Sequence, residues 1–172
     1  KESQALSGMV GEFLAFARPV SISTQSLDLV ELVQFVVRDI RSVRPGNYEL
    51  ILKTCATAAV SCDPVLMRQV FLNLLINAIE ATEEAETAGS KIEMNVDILR
   101  DVVRVEVSDN GNGIPSHLLP KIFLPFFTTK AHGTGLGLSL VQKIVLAHNG
   151  RIEAQSTQSK GTRMIMTLPQ LN

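Results

Sequence analysis

The sequence predicts a two-layer α/β sandwich of the α+β type, in which about three helices cover one face of a mixed β-sheet. Three observations predict this fold. The chain has 172 residues, 45% hydrophobic and 19% charged, which suits one domain with a substantial core. Segments of helical and strand periodicity follow one another in an order that does not strictly alternate. No internal repeat or low-complexity tract divides the chain.

The first segment, Lys1 to Ala17, has the apolar spacing of an amphipathic helix. Arg18-Pro19 ends it, because proline disfavours helical geometry in the residue before it. Two interpretations stay open: the segment is the end of a larger helical element, or it packs on this same domain. Its apolar positions are Leu6, Met9, Val10, Phe13, Phe16 and Ala17.

Two further helices are predicted together with their N-terminal caps. Asp28 is followed by Glu31 three positions later, a pattern typical of a helix start. Asp63-Pro64 predicts a second start, with the aspartate as the cap and the proline at the first helical position. The second helix is expected to run to about Glu84.

Alternation of apolar and polar residues predicts about five strands. A long irregular region, Asp109 to Thr134, precedes a last helix from about Gly137 to Ala147, which closes at Asn149-Gly150. The predicted strands are Tyr48 to Thr54, Ile92 to Leu99, Val102 to Ser108, Ile152 to Ser156 and Arg163 to Leu168.

The charge balance and hydropathy exclude several classes of protein. Sixteen basic and seventeen acidic residues give a formal charge of −1, which offers no footprint for nucleic acid or an anionic membrane surface. No continuous apolar run approaches the roughly 18 residues of a membrane helix, and no signal peptide is present. Because the chain starts at Lys1 rather than Met, we expect a fragment of a longer protein that could carry an inner-membrane anchor upstream. The use of only two cysteines favours a cytoplasmic location.

The cysteines and histidines form no metal or redox motif. Cys55 and Cys62 match no zinc or disulfide-exchange spacing, and we expect them to pack near strands in a reducing environment. His117 and His132 lie in loop regions, and His148 is at a helix C-terminus, where a positive imidazolium suits the helix dipole. Structural roles are expected for all of them.

The helix after Asp63 carries polar side chains on one face. Asn73, Asn77 and Glu80 recur at helical spacing beside a strongly apolar run. Amides and a carboxylate buried without partners are costly, so these residues could line a pocket, where amide oxygens suit a hard cation such as Mg²⁺. A solvated polar stripe explains the same spacing, and the helix alone does not decide between the two.

Two glycine-rich segments could hold a ligand. Asp109-Asn110-Gly111-Asn112-Gly113 follows a strand, where the aspartate could accept a hydrogen bond from an exocyclic amine such as that of adenine. The same residues also make a good plain turn. Gly133-Thr134-Gly135-Leu136-Gly137-Leu138 runs straight into a helix, a natural phosphate cradle to which Lys130 could add charge. A flexible glycine-rich lid without a ligand is the alternative.

Taken together, these features resemble the sensor histidine kinases of two-component systems, in the GHKL superfamily. Asn73-x-x-x-Asn77 resembles their N box and Asp109-x-Gly111-x-Gly113 their first glycine box. Phe123-x-x-Phe126-Phe127 resembles the F box and Gly133-x-Gly135-x-Gly137 the second glycine box. Order and spacing agree over roughly residues 60 to 170. Phe13 to Pro19 also resembles the end of the second dimerisation helix of nitrogen-regulator-type kinases.

The resemblance implies the Bergerat ATP-binding fold over residues 21–172, with residues 1–20 as the end of a dimerisation and histidine-phosphotransfer helix. It implies ATP and Mg²⁺ as cofactors, with Asp109 on the adenine amine and Asn77 and Asn73 on the metal. Asn73 and Lys130 are the implied catalytic residues. The implied nucleotide contacts are Asn73, Asn77, Glu80, Ala81, Asp109, Gly111, Gly113, Ile114, Phe126, Lys130, Gly133, Thr134, Gly135, Leu136, Gly137 and Leu138.

The resemblance further implies a protein-histidine kinase that lacks its acceptor histidine in this segment. Related ATPases carry a glutamate base where Asn73 stands, and an amide cannot take a proton from water at neutral pH, so a phosphoryl donor is expected rather than a hydrolase. Glu80 is a less convincing base. The implied partners are the dimerisation domain of the same kinase and a response regulator.

Three alternatives remain at this level. An ATPase or a serine/threonine-directed kinase on the same fold would use the same motifs, and a binding module could sense nucleotide without transferring phosphate. The full-length protein is expected to be a homodimer through its dimerisation helix, whereas the fragment could be a monomer.

Overall fold

The computed structural model describes residues 21–85, 89–130 and 133–171. Within them lie a five-stranded mixed sheet, a separate two-stranded sheet and three α-helices. The elements are β1 (Gln25–Asp28), α1 (Leu29–Val43), β2 (Tyr48–Thr54), β3 (Ala59–Cys62), α2 (Pro64–Glu84), β4 (Ser90–Leu99), β5 (Val102–Asp109), a 3-10 turn (Leu119–Lys121), α3 (Gly137–Ala147), β6 (Arg151–Ser156) and β7 (Thr162–Pro169). The predicted helix over Lys1 to Ala17 lies outside the described residues.

The larger sheet has the strand order β2-β4-β5-β7-β6. Its β2–β4 pair is parallel, and its β4–β5, β5–β7 and β6–β7 pairs are antiparallel. Alternate side chains along each strand face the helices and form the core, because successive residues of a strand point to opposite faces. The buried residues of β4, β5 and β7 include Ile92, Met94, Val96, Val103, Val105, Val107, Met166 and Leu168. The predicted mixed α/β sandwich is confirmed.

Helix α1 begins at the predicted cap. The Asp28 carboxylate accepts hydrogen bonds from the amides of Val30, at 3.0 Å, and Ala58, at 2.8 Å. The second bond joins the start of α1 to Ala58, directly before β3, so the cap also fixes the position of α1 beside the two-stranded sheet. Its buried face consists of Leu29, Val30, Val33, Val36, Val37 and Ile40.

Helix α2 crosses the middle of the domain. Asp63 caps it and Pro64 occupies its first turn, as predicted, because proline lacks the amide that a first-turn position leaves unpaired anyway. By length and composition α2 would also fit a membrane span, but its apolar side is buried in the core of the domain. Its buried residues are Met67, Val70, Phe71, Leu74, Leu75, Ala78, Ile79 and Thr82.

Strands β1 and β3, which sequence periodicity does not predict, pair antiparallel with Gln25 opposite Cys62 and Asp28 opposite Ala59. They attach the segment that precedes α1 to the start of α2. The C-terminal end of α3 lies beside the start of α2. There Nε2 of His148 accepts a hydrogen bond from the Asp63 amide at 2.9 Å. Its Nδ1 lies 2.8 Å from the Ile144 carbonyl oxygen, so the His148 ring joins the end of α3 to the start of α2. Cys62 is buried here and Cys55 half-buried, both as free thiols.

Candidate functional site

A cavity of about 390 Å³ opens between α2, the end of β5 and the loop that leads into α3. Both polar and apolar side chains line it, as in typical ligand pockets. The lining residues of α2 and the β5 end include Asn73, Asn77, Glu80, Ala81, Glu84, Val107 and Asp109. Those of the loops and β7 include Asn112, Gly113, Ile114, Leu118, Ile122, Phe127, Thr128, Lys130, Gly133, Thr134, Gly135, Thr162 and Met164.

Asp109 closes one end of this cavity. Its Oδ1 accepts hydrogen bonds from the amides of Gly111, at 2.9 Å, and Thr162, at 3.2 Å. No described residue donates to its Oδ2, which leaves one carboxylate oxygen for a ligand. Burial raises the pKa of Asp109, although the two amides and the charge of Lys130 act in the opposite direction.

Glycines allow the backbone to close tightly around Asp109. A Cβ at Gly111 would collide with the Ala81 carbonyl of α2, and one at Gly161 with the Asp109 carbonyl. Gly113 and Gly161 have φ of 64° and 88°, conformations that favour glycine. The first glycine loop is therefore packed directly onto α2 and the start of β7.

The amides of α2 stand at the other end of the cavity. Asn73 Nδ2 donates to the Gln69 carbonyl at 2.9 Å, which turns Asn73 Oδ1 toward the start of α3. A Cβ on Gly137 would lie only 2.9 Å from that oxygen, so the absence of a side chain at Gly137 leaves it room. Asn77 Oδ1 accepts a hydrogen bond from Lys130 Nζ at 3.3 Å. Two amide oxygens and a lysine thus share this end.

Glu80 completes a chain of charges beside the two amides. Its Oε2 lies 2.5 Å from Lys130 Nζ, and its Oε1 lies 3.3 Å from Arg44 Nη1. Burial would raise the pKa of Glu80, but the hydrogen bonds and charges of Lys130 and Arg44 outweigh it, and the pKa is lowered. Glu80 is therefore a firmly ionised carboxylate that bridges two cations.

The second glycine loop leads into the unprotected start of α3. Gly135 has a φ of 69°, and a Cβ there would lie 2.5 Å from the Phe126 carbonyl carbon, so the loop passes close to the F-box segment. Helix α3 has no side-chain N-cap among the described residues. Gly137 and Leu138 of its first turn line the cavity, so its uncapped amides and the positive end of its dipole would favour an anion there.

Most of the residues that the sequence predicted for the site line this cavity. Phe126, Leu136 and Gly111 do not. Phe126 is 60% exposed and the neighbouring Phe127 lines the cavity, while Leu136 is buried beneath the start of α3. Gly111 acts through its amide on Asp109. The predicted residues that the structure brings together are Asn73, Asn77, Glu80, Ala81, Asp109, Gly113, Ile114, Lys130, Gly133, Thr134, Gly135, Gly137 and Leu138.

Sequence reasoning missed Thr162 and Met164 of β7, as well as Leu118 and Ile122 near the 3-10 turn. Thr162 is the important one, because its amide orients Asp109. Gly161, directly before it, carries the signal that could have revealed this contact: a glycine at the start of a strand marks a close backbone approach.

Comparison with known proteins decides the family. The profile described as histidine kinase-, DNA gyrase B-, and HSP90-like ATPase matches residues 62–172. The chain belongs to this ATPase family. Sensor histidine kinase ZraS from Escherichia coli K12 is 35% identical over 98% of the chain and 36% of its own length. Sporulation kinase D from Bacillus subtilis is 33% identical, over 98% of the chain and 33% of its own length.

Solved structures place this ATPase domain among the sensor-kinase catalytic domains. The catalytic domain of histidine kinase ThkA superposes with a TM-score of 0.75 at 35% identity, over 86% of this chain and 95% of that one. A complex of ThkA with the response regulator protein TrrA gives 0.82 at 31% identity, over 99% of this chain and 48% of that one. The fold also matches full-length ShkA in complex with AMPPNP, with a TM-score of 0.85 at 22% identity.

These findings confirm the predicted resemblance to the sensor histidine kinases and the ATP-binding fold. The chain spans about a third of the length of the curated relatives it matches, at 36% and 33%.

Proposed function

We propose that this ATPase domain binds ATP with Mg²⁺ and donates the γ-phosphate to a histidine on a separate dimerisation domain, from which a response regulator takes it. One observation carries the proposal. One cavity has at Asp109 a carboxylate oxygen to which no described residue donates and, at its other end, the amide oxygens of Asn73 and Asn77 with Lys130.

Asp109 would recognise the adenine amine through its Oδ2, because Oδ1 is already engaged by two backbone amides. Those amides fix the plane of the carboxylate before any ligand arrives. Apolar side chains such as Val107, Ile114 and Met164 would pack against the base. This arrangement favours a purine with an exocyclic donor over one with an acceptor at that position.

The phosphate end would hold Mg²⁺ through Asn77 and Asn73, whose amide oxygens are hard ligands that suit this cation. When bound, the metal supplies charge neutralisation for the transferring phosphoryl group. Lys130 lies within hydrogen-bonding distance of Asn77 and is the one cation among the described residues that line the cavity, so it would contact phosphate. The start of α3 adds backbone amides directed at the same region.

Transfer to a histidine is favoured over hydrolysis by what the site holds near Asn73. An amide cannot serve as a general base. The carboxylate of Glu80 is a poor base too, because its pKa is lowered and both its oxygens are paired with cations. A nucleophile that needs no deprotonation by the domain, such as a neutral imidazole, fits this site better than water.

The test uses the full-length protein and the isolated domain side by side. Incubated with Mg²⁺ and ATP, the domain should phosphorylate a separately purified dimerisation domain on histidine, and release of free phosphate by the domain alone should stay slow. A nucleotide-sensing module would bind ATP without producing phosphohistidine. Rapid phosphate release without the acceptor domain would favour an ATPase instead.

The cellular context follows from the same proposal. We infer a cytoplasmic domain within a homodimeric kinase, joined upstream to its own dimerisation and phosphoacceptor helices. Because the residues that line the cavity all come from one chain, the domain alone should bind nucleotide without a dimer contact. Size-exclusion chromatography should show a dimer for the full-length protein and a monomer for the fragment.

A further inference from the structure

Arg44 is a charged residue close to the cavity but not part of its lining. It stands at the C-terminal end of α1, and its side chain is 35% exposed. Its guanidinium reaches two carboxylates of α2, Glu80 at 3.3 Å and Glu83 at 3.2 Å. It thereby links a helix outside the site to the charged residue that faces Lys130.

The backbone of Arg44 is fixed on both sides. Its amide donates to the Ile40 carbonyl at 2.9 Å, which closes the last turn of α1. Its carbonyl accepts a hydrogen bond from the Tyr48 hydroxyl at 2.5 Å. Because both backbone groups are held, the guanidinium projects toward α2 from a defined point and not from a free loop.

Glu80 would be unfavourable in a phosphate pocket if it stood alone. A carboxylate at this end repels the polyphosphate chain that Lys130 and the start of α3 attract. In the structure its two oxygens are divided between the two cations, Oε1 to Arg44 and Oε2 to Lys130. Glu80 is thus neutralised from two sides, and Arg44 has Glu83 as a second, more exposed partner.

Arg44 therefore determines whether the positive charge of Lys130 is available to a phosphate. When Lys130 turns from Glu80 toward a phosphate, Glu80 keeps Arg44 as its partner and remains neutralised. Without Arg44, Lys130 and Glu80 would cancel each other, and moving Lys130 would leave an unpaired carboxylate in the cavity wall.

We propose that Arg44 is a positioning residue for the phosphate end of the site. It holds Glu80, so that the ammonium group of Lys130 can move away from Glu80 and contact the phosphates of ATP. The inference rests on the proposed nucleotide site. It predicts that loss of Arg44 weakens the binding of phosphate-bearing ligands only. Among the described residues, the guanidinium of Arg44 bonds to Glu80 and Glu83 and not to the Asp109 end of the cavity.

A double-mutant cycle tests the proposal by calorimetry with a non-hydrolysable ATP analogue and with adenosine. Arg44→Gln should weaken binding of the analogue by about 3- to 10-fold, a modest loss because the pair is partly exposed. It should leave adenosine binding unchanged. Arg44→Lys should recover part of the loss, and the loss should shrink as salt rises.

Glu80→Gln removes the charge that Arg44 compensates. This variant should bind the analogue at least as tightly as the native chain, and adding Arg44→Gln to it should change the affinity by less than about 2-fold. Glu83→Gln is the matched control, because it removes the other, more exposed partner of Arg44 and leaves Glu80 paired. It should bind like the native chain.

Several outcomes would overturn the proposal. Equal analogue affinities of Arg44→Gln and the native chain would do so, as would equal losses for adenosine and the analogue, or losses that simply add in the double variant. If Arg44→Gln does not fold, Arg44→Lys compared in the native and Glu80→Gln backgrounds carries the same test. A folded native chain that binds no analogue would instead contradict the proposed function itself.

Discussion

Two aspartates at strand ends illustrate opposite uses of the same side chain. Asp63 follows β3 and engages both oxygens: Oδ1 with the amides of Val65 and Leu66, and Oδ2 with the amide of Ser23 at 2.9 Å. Asp109 ends β5 and uses Oδ1 alone, leaving Oδ2 toward the cavity.

The two pKa values shift in opposite directions for this reason. At Asp63, burial would raise the pKa, but three backbone hydrogen bonds and the nearby His148 outweigh it, so the pKa is lowered. At Asp109, burial prevails over two such bonds, and the pKa is raised. A carboxylate whose oxygens are all satisfied stabilises the fold, whereas one left half-satisfied in a cavity is prepared for a ligand.

The largest expected effect is on ligand affinity at Asp109. Asp109→Ala should weaken binding of a non-hydrolysable ATP analogue by about 30- to 100-fold, since a hydrogen bond to a charged group contributes about 2–3 kcal/mol. Calorimetry measures it, and circular dichroism checks that the variant is folded. Native-like affinity in a folded Asp109→Ala variant would contradict the assignment of the adenine end.

The same substitution at Asp63 should act on stability instead. Asp63→Ala removes the N-cap of α2 and the bond to Ser23, and we expect a loss of about 1–3 kcal/mol in the free energy of unfolding. Thermal denaturation should show a Tm lower by several degrees, about 3–8 °C. Analogue affinity measured well below that Tm should stay within about 2-fold of native. A 30-fold loss of affinity here would erase the distinction between the two aspartates.

A smaller change should make Asp63 resemble Asp109. Ser23→Pro deletes the amide that donates to Asp63 Oδ2 and leaves the cap bonds to Val65 and Leu66 in place. We expect a loss of about 0.5–1.5 kcal/mol and a higher Asp63 pKa, followed by NMR titration of the carboxyl group. Ser21→Pro, two residues earlier, is the control, and an unchanged Asp63 pKa in Ser23→Pro would refute the expected role of this amide.

The smallest expected effect is a pH-dependent gain in stability. The raised pKa of Asp109 means that its ionised form is disfavoured by folding, so the native domain loses stability as pH rises from the ordinary aspartate value of 3.8 through the raised pKa. Asp109→Asn should therefore stabilise the domain by up to about 1 kcal/mol at neutral pH, and the gain should vanish as pH falls below about 3.8. For Asp63→Asn the sign is opposite: the native advantage is present at neutral pH and disappears as pH falls through the lowered pKa. Urea denaturation across pH separates the two, and a stability loss in Asp109→Asn at neutral pH would contradict this account.

Local sequence patterns were sufficient to predict the three helices and the five strands of the main sheet that are described in the structure. Alternation located the five strands of the main sheet, and Asp28 and Asp63 were recognised as caps because a cap and its helix are adjacent in sequence. Strands β1 and β3 escaped because each has only four residues and their pairing joins distant segments. Nothing in Gln25 to Asp28 alternates strongly enough to predict a strand.

The site divides in the same way. Residues on one helix face or within one glycine loop, such as Asn73, Asn77 and Gly135, were predictable from spacing. Arg44 and Thr162 were not, since they reach the site from other elements of the fold. The exposure of Phe126 and the inward position of Phe127 depend on a positive φ of 64° at Phe126, which no residue pattern indicates for a phenylalanine.

The pairing of β1 with β3 has a mechanical consequence. Asp63 joins the incoming chain at Ser23, the start of α2 and the end of α3 in one joint, while Asn77 of α2 and the start of α3 stand at the cavity. At 1.5 Å per residue, roughly 20 Å of stiff helix separates Asp63 from Asn77. A displacement of the chain at Ser23 would therefore act on the ends of α2 and α3 that lie opposite the proposed nucleotide site.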